Sequence, residues 1–248
     1  MKKQFLFIAV TTSAILISCS KEKIETQAPI QNASTDNLTN TASSFRLVED
    51  PLKVNLDAWF TFNGNLKDVT NHLADGIATS RMGAIYTYDR HGIFKAAIKF
   101  NGTYGVKLFK VPQQTHGSVA AWVKYDNPNV GTGRMIVKPK DTGLGIYKWM
   151  TEMGGTVESP NFGQLGLSAG TFNSSWHHFV VTFDDADLRV YVDGTLKASI
   201  PCGGTYANVL EDYFIGYFPN EYFEGSVDDL RFYSRTLSAS DVTALYNL

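Results

Sequence analysis

An all-β fold, a jelly-roll sandwich of two antiparallel sheets with a short C-terminal helix, is predicted for residues 53–248 by three observations. Short runs of β-branched and aromatic residues, many alternating with polar ones, recur between clusters of Gly, Asn and Asp. That is the pattern of strands joined by turns, not of βαβ units. About a dozen such runs occur, too many for a small immunoglobulin-type domain and suited to two sheets packed about 10 Å apart. Helical spacing appears only at the extreme C-terminus.

The runs follow in order. Residues 57–62 carry Trp59, Phe60 and Phe62; 97–100 and 105–109 are short apolar alternations ending in Phe100 and Phe109. Residues 118–125 hold Val119, Trp122, Val123 and Tyr125, and 134–138, 145–150 and 164–168 follow between glycine-bearing loops. The next three, 176–184, 188–192 and 196–200, form a meander: Asp184 to Asp187 turns the chain, and Asp193-Gly194 supplies the positive φ values of a tight hairpin. Residues 213–216 and 225–234 complete the set. At the C-terminus, Ser238 fits an N-cap with Asp241 three residues later, and Val242, Leu245 and Tyr246 then share one helix face.

The meander contains Trp176-His177-His178-Phe179 followed by Tyr191-Val192-Asp193-Gly194. It resembles a signature of the laminin-G-like branch of the concanavalin A-like lectin/glucanase superfamily. Three further stretches match in the expected order: Phe62 to Asp68; Asp89-Arg90 through Gly102; and Phe223-Glu224-Gly225 through Leu237. The resemblance covers essentially the whole domain and implies a concanavalin A-like jelly roll. One fold hosts many functions, so the site must be argued separately.

The glucanases of that superfamily carry two catalytic acids on one strand, where alternation puts both carboxylates on one face. Glu158, Glu211, Asp212, Glu221 and Glu224 do not form that spacing, and the adjacent Asp228 and Asp229 are expected to point to opposite faces. The chain is therefore expected not to be an enzyme. The resemblance also implies a Ca²⁺ between an early loop and the last strand, with Asp68 and Asp228 as its matching oxygen ligands. The competing reading has Asp68 capping a turn and Asp228 paired with a base such as Arg90.

His177-His178 lacks ligand spacing to other His, Cys or acidic residues and matches a structural corner in the family motif. Cys202 has no His or acidic neighbour in sequence and is expected to be a small buried or turn residue. Sugar binding uses aromatics that stack on pyranose rings. Tyr147, Trp149, Tyr217, Phe218, Tyr222 and Phe223 are available, and Trp149 and Tyr222, flanked by polar residues and glycines, are the ligand-binding candidates. Trp59, Trp122 and Trp176 are assigned to the core.

Where the chain resides bears on what it binds. Lys2 and Lys3 precede an apolar run from Phe5 to Ile17, too short for a membrane span of about 20 residues. Residues 1–18 read as a signal peptide. Leu16-Ile17-Ser18-Cys19 resembles a bacterial lipobox, which implies that Cys19 is the lipidated first residue of the mature protein. Ser20 resembles the default for sorting to an outer membrane, and Ser20-Lys21-Glu22 resembles the surface-export signal of Bacteroidota lipoproteins. Residues 19–52, rich in Thr, Asn, Ser, Gln and Ala, form a disordered tether. A net charge of -2 with interspersed signs argues against nucleic acid. The expected function is a surface-anchored, non-catalytic module that binds glycan or a protein partner. The alternatives are a divergent glycan-active hydrolase or lyase, and a structural subunit of an envelope complex.

Overall fold

The computed structural model describes residues 50–248 apart from 114, 128–133, 150, 160–162, 205–208 and 219–220. The signal peptide, Cys19 and nearly all of the tether lie outside the described residues. Seventeen strands and one helix follow in order: β1 (Leu56–Phe60), β2 (Ile77–Ala78), β3 (Ile85–Thr87), β4 (Ala97–Asn101), β5 (Val106–Gln113), β6 (Gly117–Tyr125), β7 (Arg134–Pro139), β8 (Gly143–Trp149), β9 (Glu152–Ser159), β10 (Gly163–Thr171), β11 (Trp176–Phe183), β12 (Asp187–Val192), β13 (Thr195–Pro201), β14 (Val209–Ile215), β15 (Tyr217–Phe218), β16 (Glu221–Tyr222), β17 (Glu224–Tyr233) and α1 (Ala239–Tyr246).

They form a two-sheet jelly-roll sandwich. The eight-stranded sheet runs β13-β12-β11-β6-β17-β4-β3, with β1 paired to the second half of β17; the seven-stranded sheet runs β10-β9-β8-β7-β14-β5-β2. The strand pairs within both sheets are antiparallel. Alternation sends Phe60, Phe100, Val123, Ile146, Val157, Phe179, Phe183, Tyr213 and Phe232 into one core between the sheets. Each fully buried Phe of this kind contributes about 1.5–3 kcal/mol. Tyr213 is buried with its hydroxyl satisfied, 2.9 Å from Gln113 Oε1 and 3.0 Å from the Leu144 carbonyl.

The expected meander is present: β11 pairs with β12 and β12 with β13, and Asp193 and Gly194 turn the chain with φ of 51° and 76°. Helix α1 starts at Ser238 with both halves of a capping box. It buries Val242 and Leu245 in a second, smaller apolar cluster on the outer face of the eight-stranded sheet, with Leu56, Ala120, Val180 and Tyr191. Leu52, counted with the tether by composition, packs against this cluster, and Tyr233 Oη donates to its carbonyl.

Two expectations differ. Trp59, Trp122 and Trp176 are only half-buried and stay out of the core between the sheets. Trp59 keeps its indole N–H satisfied by donating to Asp229 Oδ1 at 2.8 Å, which an apolar interior would not allow. Strand β9, like the two- and three-residue strands β2, β3, β15 and β16, has no counterpart among the runs expected from sequence. Adjacent glycines Gly154 and Gly155 hide its alternation, although Met153 and Val157 face the core.

Candidate functional site

The outer face of the seven-stranded sheet is built by register. Trp149 opposes Glu152, Tyr147 opposes Gly154 and Gly145 opposes Thr156 across β8 and β9. Gly154 in turn opposes Ser168, Thr156 opposes Gly166 and Glu158 opposes Gln164 across β9 and β10. Paired residues share a face, and Met153 and Val157 take the other one. Three glycines therefore floor the middle of this face. A Cβ at Gly166 would lie 3.5 Å from the Tyr147 hydroxyl, which places that ring over the neighbouring strands. A Cβ at Gly145 would stand 2.7 Å from the Val137 carbonyl and 2.9 Å from Thr156 Cγ2, so no larger residue fits there.

Charged and polar groups flank the glycine floor. Lys138 on β7 reaches across β8 to form a nearly buried ion pair with Glu158 on β9. Beyond it, Asp141, Thr142, Glu158, Ser159, Gly163 and Gln164 line an open cleft. At the other end of β8, Trp149 is 62% exposed. Lys148 between Tyr147 and Trp149 points the opposite way and holds its ammonium 4.4 Å from the Tyr125 ring centroid. Tyr147 is half-buried, and that burial, with Glu152 nearby, raises the pKa of its phenol. The face thus carries an aromatic end, a glycine trough and a polar end.

Trp149 and Tyr222 lie at the same end of the sheet. The Gly216 N–H donates to the Ile136 carbonyl, so the β15–β16 hairpin flanks β7 on the side away from β8. Tyr222 packs on Tyr217 with ring centroids 5.0 Å apart. Tyr147, one of several available aromatics in the sequence, gains its place from the glycines opposite it. The run from Gly143 to Trp149, with an outward position every second residue, was the legible signal.

Asp68 accepts five hydrogen bonds. Oδ1 takes the N–H groups of Trp59 (2.9 Å) and Thr70 (3.1 Å); Oδ2 takes the Thr70 hydroxyl (2.6 Å) and the N–H groups of His72 (3.0 Å) and Leu73 (2.9 Å). Burial would raise its pKa, but these donors outweigh burial and lower it. Asp228 accepts from Arg90 Nη1 at 2.7 Å, while Arg90 Nη2 stands 2.8 Å from Asp229 Oδ2. Both carboxylates are committed to protein donors. Among the described residues no group of three or more His, Cys, Asp or Glu gathers as a metal cage. This donor set does not fit a Ca²⁺, which takes six to eight oxygens.

The pairing of Asp228 and Asp229 with one guanidinium corrects the alternation argument made from sequence. Asp229 has a φ of 47°, and the register of β17 with β6 shifts between Asp228 and Arg231. That β-bulge inserts a residue and re-aims the second carboxylate to the side of the first. The same outer face carries His178, which opposes Trp122, as Asp228 does from the other side. Trp122 stacks on Tyr246 at 5.6 Å and lies 4.9 Å from the Arg90 guanidinium. His178 is buried, and desolvation, with Arg231 and Arg90 nearby, pushes its pKa down to about 3. It is held as a neutral packing group. His177 Nδ1 donates to Asp193 Oδ2 (2.8 Å) and the His178 N–H to Asp193 Oδ1 (2.9 Å), tying the strand to the hairpin turn. Cys202 is buried at the edge of the core.

Residues 101–243 match a family model described as the concanavalin A-like lectin/glucanases superfamily. Among solved structures, domain 4 of AbnA, a GH43 extracellular arabinanase from Geobacillus stearothermophilus, in complex with arabinotriose, is similar. Its identity is 23% and its TM-score 0.64, over 77% of this chain and 98% of that one. The botulinum neurotoxin serotype D/C binding domain is 14% identical, with a TM-score of 0.64 over 78% of this chain. The binding domain of Paraclostridial Mosquitocidal Protein 1 is 17% identical, with a TM-score of 0.64 over 79% of this chain. In both, the match spans 52% of the other chain. At these identities the likeness establishes the fold alone. No curated protein matches the sequence.

Proposed function

The chain belongs to the concanavalin A-like lectin/glucanases superfamily, and from that premise we propose that it is a non-catalytic module that binds a glycan chain on its seven-stranded face. One observation carries the reading: on β8, exposed Trp149 and half-buried Tyr147 project from the same side as the glycine floor of Gly145, Gly154 and Gly166. An aromatic face gives a sugar ring an apolar surface to stack on, and side-chain-free strands let a chain of rings approach the backbone. Glu158, Gln164 and Thr142 then offer hydrogen bonds to hydroxyl groups at the far end. The arabinotriose complex of the similar arabinanase domain supports starting with arabino-oligosaccharides.

The module is held to the outer membrane, facing outward, by a lipid on Cys19 and the tether that follows it. The support is the order of basic start, short apolar core and terminal cysteine in residues 1–19. Cys19→Ala is expected to leave the precursor unprocessed and without acyl label; normal labelling of that variant would end the anchor reading.

A glycan array with the purified domain tests the binding reading. Binding to at least one glycan class, lost in Trp149→Ala without a change in melting temperature, is expected. An array without hits, or hits insensitive to Trp149, would remove the glycan from this face. Turnover of a bound glycan that stops on substitution of a single carboxylate would overturn the non-catalytic assignment.

A further inference from the structure

The turn between β3 and β4 carries a rigid apolar knob, and we infer that it docks the domain on a lipid bilayer with anionic headgroups. Tyr88, Ile93 and Phe94 are 59%, 59% and 58% exposed, and the Tyr88 and Phe94 rings lie 5.1 Å apart. Positions 91–95 are all exposed. Large apolar side chains so displayed, side by side on one turn, are not the scattered singles that a monomer surface normally carries.

The turn is held from within. Asp89 Oδ1 accepts the N–H groups of His91 (2.9 Å) and Ile93 (2.7 Å), and the Asp89 N–H donates to the Ile93 carbonyl at 3.1 Å. Arg90 anchors it to β17 through Asp228 and Asp229. The knob therefore loses little conformational freedom when it inserts.

Charge selects a bilayer as the occupant. From Tyr88 to Lys95 the only acid is Asp89, and it is buried; His91 and Lys95 are exposed. The Lys95 ammonium stands 5.9 Å from the Phe94 ring centroid. An aromatic and aliphatic tip flanked by a lysine and bearing no exposed carboxylate is the composition of an interfacial anchor. A single such contact is weak. A lipid on Cys19, about thirty residues before Asp50, would keep the knob at high local concentration near the membrane, within about 100 Å of it. To that extent the inference rests on the anchor reading. In strand order β2 and β3 lie at the sheet ends opposite β10 and β13, so a docked knob leaves β8–β10 free for glycan.

The test uses the chain from residue 19 onward with Cys19→Ser, which contains the whole described domain and neither lipid nor the apolar leader. It is sedimented with vesicles of phosphatidylethanolamine and phosphatidylglycerol, and with vesicles of phosphatidylcholine alone. Binding to the anionic vesicles, weakened about tenfold or more by the pair Ile93→Ser and Phe94→Ser and reduced by salt, is expected. Glycan binding of that variant should be unchanged. Phe94→Trp gives a second readout, since the emission of the introduced indole should shift blue and be quenched by brominated lipid. No sedimentation of the Cys19→Ser chain, equal sedimentation of the serine pair, or an emission of the Phe94→Trp variant unmoved by vesicles would overturn the inference. Acyl labelling of the precursor reads the anchor separately, and the array reads the glycan face.

Discussion

Arg90 holds Asp228 and Asp229 with the two terminal nitrogens of its guanidinium, at 2.7 and 2.8 Å, from a turn 138 positions earlier in the chain than Asp228. The Asp228 and Arg90 side chains are 5% and 10% exposed, so removal of the guanidinium strands the nearly buried Asp228 carboxylate, while Asp229 keeps the Trp59 indole N–H and Arg231. Arg90→Met is expected to destabilise the domain by roughly 3–5 kcal/mol. Arg90→Met with Asp228→Asn should recover a large part, because the neutral amide no longer needs the cation. Urea-unfolding midpoints of the four proteins in the cycle check both statements.

Acid should act on the same cluster through two opposed titrations. His178 has a pKa of about 3 in the fold against 6.5 unfolded, so the unfolded chain binds the extra proton, and stability is lost as pH falls from about 6.5 towards 3. Asp228 is pushed up to about 7, by burial first and Asp229 second, against 3.8 unfolded. There the folded chain binds the extra proton, and stability is gained as pH falls from about 7 to 4. Each uncompensated titration changes stability by up to about 1.4 kcal/mol per pH unit. His178→Phe should therefore grow more stable, relative to wild type, on acidification from pH 7 to 4. Asp228→Asn should lose relative stability over the same range. Parallel profiles for all three proteins would show that neither group titrates as described.

Asp68 closes the loop after β1 with five donors, and Asp68→Ala should cost about 1–3 kcal/mol, the penalty of several partly buried N–H groups left unpaired. Asp68→Asn should cost less, since one carbonyl oxygen remains to accept. The loss should be the same in millimolar Ca²⁺ and in chelator. A melting temperature raised by Ca²⁺ in wild type, but not in Asp68→Ala or Asp228→Ala, would instead restore a shared ion.

On the glycan face, Trp149→Ala should leave stability within about 0.5 kcal/mol, as for an exposed side chain, while weakening binding by about 2 kcal/mol or more. Gly145→Val should do the reverse of a surface change. Its side chain would collide with the Val137 carbonyl and with Thr156, so both melting temperature and binding should fall.

The sequence by itself determined the class of fold, most of the strands, the Asp193-Gly194 hairpin and the capped C-terminal helix. These features rest on local rules: alternation, positive-φ turn residues and cap chemistry act within a few positions of one another. It also offered Trp149 and Tyr222 as ligand-binding candidates, because aromatics flanked by polar residues and glycine stand apart from core runs. Only the tertiary structure decided what surrounds them. Gly154 and Gly166 become a floor for Tyr147 because β9 and β10 pair in one register, and Lys138 meets Glu158 because β7, β8 and β9 lie side by side in one sheet. Asp228 and Asp229 face one guanidinium because a bulge breaks the alternation that sequence reasoning had to assume. The three tryptophans left the interior for the outer face of a sheet, where rings can stack on arginine and the indole N–H can still find an acceptor. Such outcomes depend on pairings between strands from about a dozen to well over a hundred positions apart, and no local rule carries that information.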